Sequence, residues 1–333
     1  MRSQRRRNQL ASSSGVVASV LLVLALLLLP SAVAEAEEGR LPAPGARAAI
    51  VVDAGTGAVL YERNARVGLA PASLTKMVTA LVALERWPLD RPVQIEHPYV
   101  ITPIVIGLEP GDTLPLDAVL HGLMLNSGND AALAIAEIVG DGSVQRFVGW
   151  MNDLSRRLGL TETQFKNPHG LDQDGHVSSA YDMAIVGRAY MRQPALAQMV
   201  GRSRHEVTGP PRWVFQNRNP LLGQYPGVDG IKTGFDDRAG LCLVATAVRD
   251  GRRAVAVVMN SVNYGADAAS LLDYAFEDER WGRDPGQERA MRPTSTRVAM
   301  LRADLGGSGE GAPPSLVRAS QLARQTTSSV AAR

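Results

Sequence analysis

Lysine is nearly absent from this chain. Of its 35 basic residues only Lys76, Lys166 and Lys232 are lysines. Arginine is not deprotonated in a protein, whereas a buried lysine can lose its proton and act as a base. The three lysines are therefore the first places to look for chemistry. Cysteine is rarer still. Cys242 is alone, which excludes an internal disulfide and demands a core able to hold the fold unaided. It lies in the apolar run Leu241 to Val244 and reads as a small buried hydrophobe on a strand, not a nucleophile. An excess of one charge is also missing: the net charge is +2 over 333 residues, too weak a field to argue for a nucleic-acid partner. Beyond the N-terminal segment no apolar run is long enough to span a bilayer. What remains, 45% hydrophobic and 20% charged residues, is ordinary globular composition.

The first 34 residues read as an export signal. Arg2, Arg5, Arg6 and Arg7 are followed by an apolar run from Val16 to Leu29, short for a membrane anchor, and by the small-x-small site Ala32-Val33-Ala34. The protein is accordingly expected to be exported to the periplasm or the extracytoplasmic cell envelope. Residues 35–47 read as a linker.

Ala49 to Asp53 and Ala58 to Tyr61 are expected strands joined by the turn Ala54-Gly55-Thr56-Gly57. Leu74, Met77, Val78, Leu81 and Val82 recur with helical spacing, as do Leu116, Val119, Leu120, Leu123 and Met124. Ala131 to Val139 and Tyr181 to Met191 are two more helices. Leu241 to Val248 and Ala254 to Met259 form a hairpin around Asp250-Gly251, and Ala268 to Phe276 is a closing helix. Strands at both ends with helices between them suggest one α/β (α+β) domain over residues 48–282. Residues 283–333 read as a flexible tail, with a weak basic amphipathic membrane helix as the alternative.

Lys76 closes the tetrad Ser73-Leu74-Thr75-Lys76 where the first helix starts. Three helical positions bring Lys76 beside Ser73, and both flank the buried stripe. A half-buried amine with a lowered pKa can take the hydroxyl proton, and the helix N-terminus offers N–H groups to a developing oxyanion. Alone, the tetrad is weak, and reads better as an N-capping serine with a solvated lysine. Lys232 lies in Lys232-Thr233-Gly234-Phe235, leading into the Leu241 strand; charge and hydroxyl suit a substrate carboxylate, or the charge simply protects a sheet edge. Between them Asn126-Ser127-Gly128-Asn129 breaks two helices, a relay site or only a turn. Together, S-x-x-K, S-x-N and K-T-G in this order are the signature set of penicillin-binding proteins and class A β-lactamases.

The chain resembles the low-molecular-mass penicillin-binding proteins, the D-alanyl-D-alanine carboxypeptidases. The likeness runs through Pro71 to Met77, Leu125 to Ala132, Asn167-Pro168-His169-Gly170-Leu171 and Lys232 to Phe235, and covers about residues 48–280. It implies an antiparallel sheet packed by helices, with a helical subdomain and the site between them. It implies Ser73 as the acylated nucleophile, Lys76 as its base and Ser127 as proton relay to the leaving D-alanine. Asn129 would hold the substrate amide, Lys232 and Thr233 the terminal carboxylate, and the N–H groups of Ser73 and Phe235 the oxyanion, with Gly234 allowing close approach. The expected partner is a peptidoglycan stem peptide ending in D-Ala-D-Ala, with β-lactams as inhibitors. His169 and His176 match no zinc spacing, nor do His97, His121 and His205, so no metal or cofactor is expected.

Two departures qualify the resemblance. Only about 50 residues follow the catalytic region, too few for the further β domain many relatives carry. Tyr264 stands where many relatives have an arginine before the stretch matching Ala266-Asp267-Ala268, which makes a D,D-endopeptidase more plausible. A β-lactamase using Glu162 as deacylating base and a non-catalytic wall-binding protein are the remaining alternatives.

Overall fold

The computed structural model describes residues 41–208 and 212–277. The signal segment, part of the linker and the tail lie outside the described residues.

Along the chain, β1 (Ala48–Asp53) and β2 (Val59–Arg63) form the first hairpin. The Asp53 carboxylate accepts the turn N–H groups of Gly55 and Thr56 at 2.7 and 3.1 Å. A 3₁₀ turn, Ala72–Thr75, opens α1 (Lys76–Arg86). The short strands β3 (Pro92–Gln94) and β4 (Thr113–Pro115) pair and lead into α2 (Leu116–His121). The helix expected through Met124 is α-helical only to His121; Gly122–Asn126 widens into a π turn. Then come α3 (Asn129–Val139), α4 (Val144–Leu158), α5 (Ala180–Met191) and α6 (Pro194–Val200). A small hairpin of β5 (Arg204–Val207) and β6 (Trp213–Gln216) precedes β7 (Val228–Asp236), β8 (Gly240–Arg249) and β9 (Arg252–Ser261), and α7 (Tyr264–Glu277) closes the domain.

The main sheet has five strands in the order β2-β1-β9-β8-β7, and every neighbouring pair is antiparallel. Both its faces are covered, which explains the unbroken apolar runs of β1, β8 and β9. Alternate residues divide between two cores. Ile50, Val52, Val244, Val255 and Val257 face the helical side with α1 to α6. Ala49, Val51, Leu243, Ala245 and Ala256 face α7 through Ala268, Leu271 and Leu272. Cys242 is fully buried in the first core, and burial pushes its thiol up to about 12, so it is a packing residue as expected.

The sequence reading passed over α4, although its signal is present. Ser143 Oγ accepts the Arg146 N–H at 3.2 Å, Phe147, Val148, Met151 and Leu154 are buried on one face, and Gly159 ends it in the left-handed region. The strands β3 to β6 have three or four residues each, too few for an alternation to show.

Candidate active site

Ser73 lies in the 3₁₀ turn ahead of α1, with backbone pressing on it from two sides. Gly170, at φ +91°, passes so closely that a Cβ would overlap the Ala72 carbonyl oxygen and stand 3.0 Å from Ser73 N. A Cβ on Gly234 of β7 would stand 3.1 Å from the same nitrogen. Only glycine permits both approaches. The edge strand bearing Lys232, Thr233, Gly234 and Phe235 therefore lies directly against the turn bearing Ser73.

Lys76, the first residue of α1, was expected to be half-buried; it has no exposed surface. Its Nζ lies 2.9 Å from Ser73 Oγ, 2.7 Å from Asn129 Oδ1 and 2.5 Å from the His169 carbonyl oxygen. None of these partners is charged. Burial first, and then the Lys232 charge, hold the amine well below the ordinary lysine range, against the opposing pull of Asp130. A neutral amine has two N–H groups and one lone pair. The two N–H groups match Asn129 Oδ1 and the His169 carbonyl, and the lone pair is left for the Ser73 hydroxyl proton. An ammonium would instead donate to all three, so the hydrogen bonds fit both forms, and it is burial that favours the uncharged form a general base requires.

The π turn delivers the second serine. Ser127 is 3% exposed and sits in the left-handed region at φ 67°, where α2 and its π turn end. Asn129 opens α3 two residues later, with its own N–H donating to the Ile104 carbonyl at 2.7 Å. Asp130 was not singled out by sequence reasoning, although it adjoins Asn129 in a motif-bearing stretch. Its buried carboxylate accepts N–H groups from Ile106, Gly107, Leu108 and Ala131 at 2.8–3.2 Å. It ties the 104–108 loop to the start of α3.

The 167–171 segment, one of the stretches that carry the resemblance, feeds the site through its backbone. Asn167 Oδ1 accepts the Gly170 N–H at 2.7 Å and its Nδ2 donates to the Leu171 carbonyl at 2.9 Å. The Thr79 hydroxyl donates to the Pro168 carbonyl at 2.6 Å. These bonds hold the His169 carbonyl on Lys76. The imidazoles of His169 and His176 are kept neutral mainly by burial, at about 3 and about 4 respectively. His176 accepts the Lys166 N–H at Nδ1, so its Nε2–H donates to Thr75 Oγ1 at 2.9 Å.

Lys232 is 1% exposed and donates to the Thr233 carbonyl at 2.8 Å. Burial, helped by the Arg218 charge, lowers it to about 7. Phe235, next along β7, is 62% exposed. The Ser73 hydroxyl, the buried Lys76 amine and the buried Lys232 amine on a sheet edge are thus gathered in one place. A hydroxyl beside a buried amine, with a second amine on the facing strand, is an arrangement that can support acyl transfer.

The chain matches the D-alanyl-D-alanine carboxypeptidase family over residues 35–263. It belongs to that family.

Among its relatives, the D-alanyl-D-alanine carboxypeptidase DacF of Bacillus subtilis is 38% identical over 268 residues, 76% of this chain and 68% of the relative. DacA of Escherichia coli is 35% identical over 251 residues, 71% of this chain and 62% of the relative. The crystal structure of the D-alanyl-D-alanine carboxypeptidase from Mycobacterium tuberculosis superposes with a TM-score of 0.69 at 33% identity, covering 72% of this chain and 94% of that one. This family member is a serine-type hydrolase on the antiparallel DD-peptidase fold that the motifs implied.

Two remaining residues from the alternatives have places in the fold. Glu162 is engaged by Thr161, Ser179 and Arg66, and its backbone N–H binds Asp182; none of these is a catalytic group. Tyr264 begins α7 and packs against the core on the α7 face of the sheet, so it contributes apolar contact where a relative's arginine would contribute charge.

Proposed function

We propose that this protein removes the terminal D-alanine from peptidoglycan stem peptides ending in D-Ala-D-Ala, on the extracytoplasmic side of the membrane, through an acyl-enzyme on Ser73. The observation carrying this reading is the fully buried Lys76 amine, 2.9 Å from Ser73 Oγ and held by burial well below the ordinary lysine range. Lys76 takes the hydroxyl proton as Oγ attacks the penultimate carbonyl carbon. The N–H groups of Ser73 and Phe235 receive the oxyanion. Ser127, at the end of the π turn, passes the proton to the leaving D-alanine nitrogen as the C–N bond breaks. Water then attacks the ester, giving a proton to Lys76, and Lys76 returns that proton to Ser73 Oγ as the C–O bond breaks. Asn129, whose Oδ1 already engages Lys76, presents its amide N–H groups to the substrate. Lys232 and Thr233 hold the terminal carboxylate, and Gly234 keeps β7 close enough for Phe235 N–H to reach the oxyanion. Because β7 is an edge strand, a substrate backbone can align along it.

β-Lactams present a strained amide and a carboxylate in the same relation, so they acylate Ser73. The test is intact-mass measurement after incubation with penicillin, followed by peptide mapping, together with D-alanine release from a stem pentapeptide. One penicilloyl group on Ser73, and its loss in Ser73→Ala, are expected. An adduct elsewhere, or no release of D-alanine, overturns the proposal. Tyr264 favours one second reading, a D,D-endopeptidase acting on cross-linked muropeptides. Splitting of purified dimers faster than trimming of monomers would establish it.

A further inference from the structure

Away from Ser73, the fold brings together three side chains that sequence spacing had not connected. Asp117 and His121 lie four residues apart on α2, on one face of that helix. His205 comes from β5, far along the chain, and its ring stacks on His121 at 3.5 Å between centroids and 13° between planes. One donor atom from each of Asp117, His121 and His205 lies within 4.8 Å of the other two.

His121 shows why the cluster is more than a packed pair of rings. Its side chain is buried, and Nδ1 donates to the Asp117 carbonyl at 2.8 Å. That bond fixes the tautomer and leaves Nε2 as a bare acceptor. Nε2 is buried and has no hydrogen-bond partner among the described residues, a state that ordinarily carries a desolvation cost. An imidazole whose Nδ1–H is held by a backbone carbonyl and whose Nε2 lone pair is free is the usual arrangement of a metal-ligating histidine. Asp117, close to Nδ1 at 3.4 Å through Oδ2 and 44% exposed, is free to turn. Arg202 lies close enough to add its positive charge to the cluster, but its side chain is exposed and can move away.

We propose that Asp117, His121 and His205 form a site for a divalent transition metal of the zinc class, with His121 Nε2, a His205 ring nitrogen and an Asp117 oxygen as ligands and water completing the shell. Two imidazoles and a carboxylate suit Zn²⁺. Donor atoms of a tetrahedral zinc site are about 3.3 Å apart, so binding must draw the cluster in and unstack the rings; the partly exposed Asp117 and His205 can both make that movement. His121 is the last residue of α2, immediately before the π turn that ends at Ser127, and Gly122 already rests on Phe215 of β6. The metal would therefore pin the β5–β6 hairpin to the support of Ser127 and act on stability rather than on the acyl transfer itself.

The test uses the full chain, free of any affinity tag and stripped with a chelator, titrated with Zn²⁺ against a chromophoric competitor and melted with and without the metal. Wild type is expected to take up one Zn²⁺ at least tenfold more tightly than His205→Ala or Asp117→Asn, and to melt at a higher temperature with zinc only when both histidines are present. The two variants change partly exposed side chains, and fluorescent-penicillin labelling checks that they are folded. No uptake by wild type, or equal uptake by wild type and His205→Ala, overturns the proposal.

Discussion

Asp130→Asn probes the support of the site without touching a group that meets substrate. In the native protein one carboxylate oxygen accepts from Ile106 and Ala131, and the other accepts from Gly107 and Leu108 at 2.9 and 3.2 Å, with Ile106 shared between the two. The amide of asparagine keeps one acceptor oxygen and sets an NH₂ against the N–H groups of Gly107 and Leu108. Two hydrogen bonds to a charged acceptor are lost, each worth about 1.5–3 kcal/mol, and relief of a buried charge returns part of that. A net loss of about 2–4 kcal/mol follows, or roughly 5–15 °C in melting temperature for a domain of this size. Calorimetric melting near neutral pH measures it. The substitution also removes the negative charge that favours protonated Lys76. Lys76 becomes still harder to protonate, so the acid limb of the penicillin acylation rate must move to lower pH. A melting temperature within about 2 °C of wild type, or an acid limb displaced upward, would refute this account of Asp130.

Other consequences can be checked with the same assays. Lys76→Arg keeps a positive charge but cannot release a proton, and acylation by a fluorescent penicillin should slow by about 10²–10⁴-fold; labelling within tenfold of wild type would remove Lys76 as the base. Gly170→Ala places a Cβ against the Ala72 carbonyl in a left-handed conformation, so it should destabilise by about 2 kcal/mol or more and slow labelling, measured by melting and by rate. Lys232, lowered to about 7, is charged below that pH and neutral above it. Hence kcat/KM for D-Ala-D-Ala substrates should fall as pH rises through about 7, while kcat persists further because a bound carboxylate raises the lysine again. Lys232→Gln should lower kcat/KM and abolish that alkaline limb; an unchanged limb in this variant assigns it elsewhere.

The candidate site side chains were legible because the proposed chemistry needs a particular functional group at a particular spacing. A chain that uses arginine nearly everywhere leaves a lysine conspicuous, and Ser73 three positions before Lys76 implies contact if the segment is helical. The supports were less legible. The carbonyl of His169 reaches Lys76 as a backbone atom, and backbone atoms leave no mark in residue identity. Asp130 reads as an ordinary acid in a first helical turn until the 104–108 loop, which has no periodicity of its own, folds over it. The break of α2 into a π turn leaves the apolar spacing intact while setting Ser127 in the left-handed region. His121 and His205 meet only because β5 returns to α2, a juxtaposition set by topology rather than by spacing.

The strand order β2-β1-β9-β8-β7 has a kinetic meaning as well. The first two strands lie early in the chain, yet β1 pairs with β9, and β7, which lies against the Ser73 turn, is joined to them in the sheet only through β8 and β9. Contacts so distant in sequence form late and slowly. A chain halted before β7 would carry Ser73 and Lys76 but lack the wall that holds their turn in place. The backbone around Ser73 is therefore completed only by the last strands of the sheet.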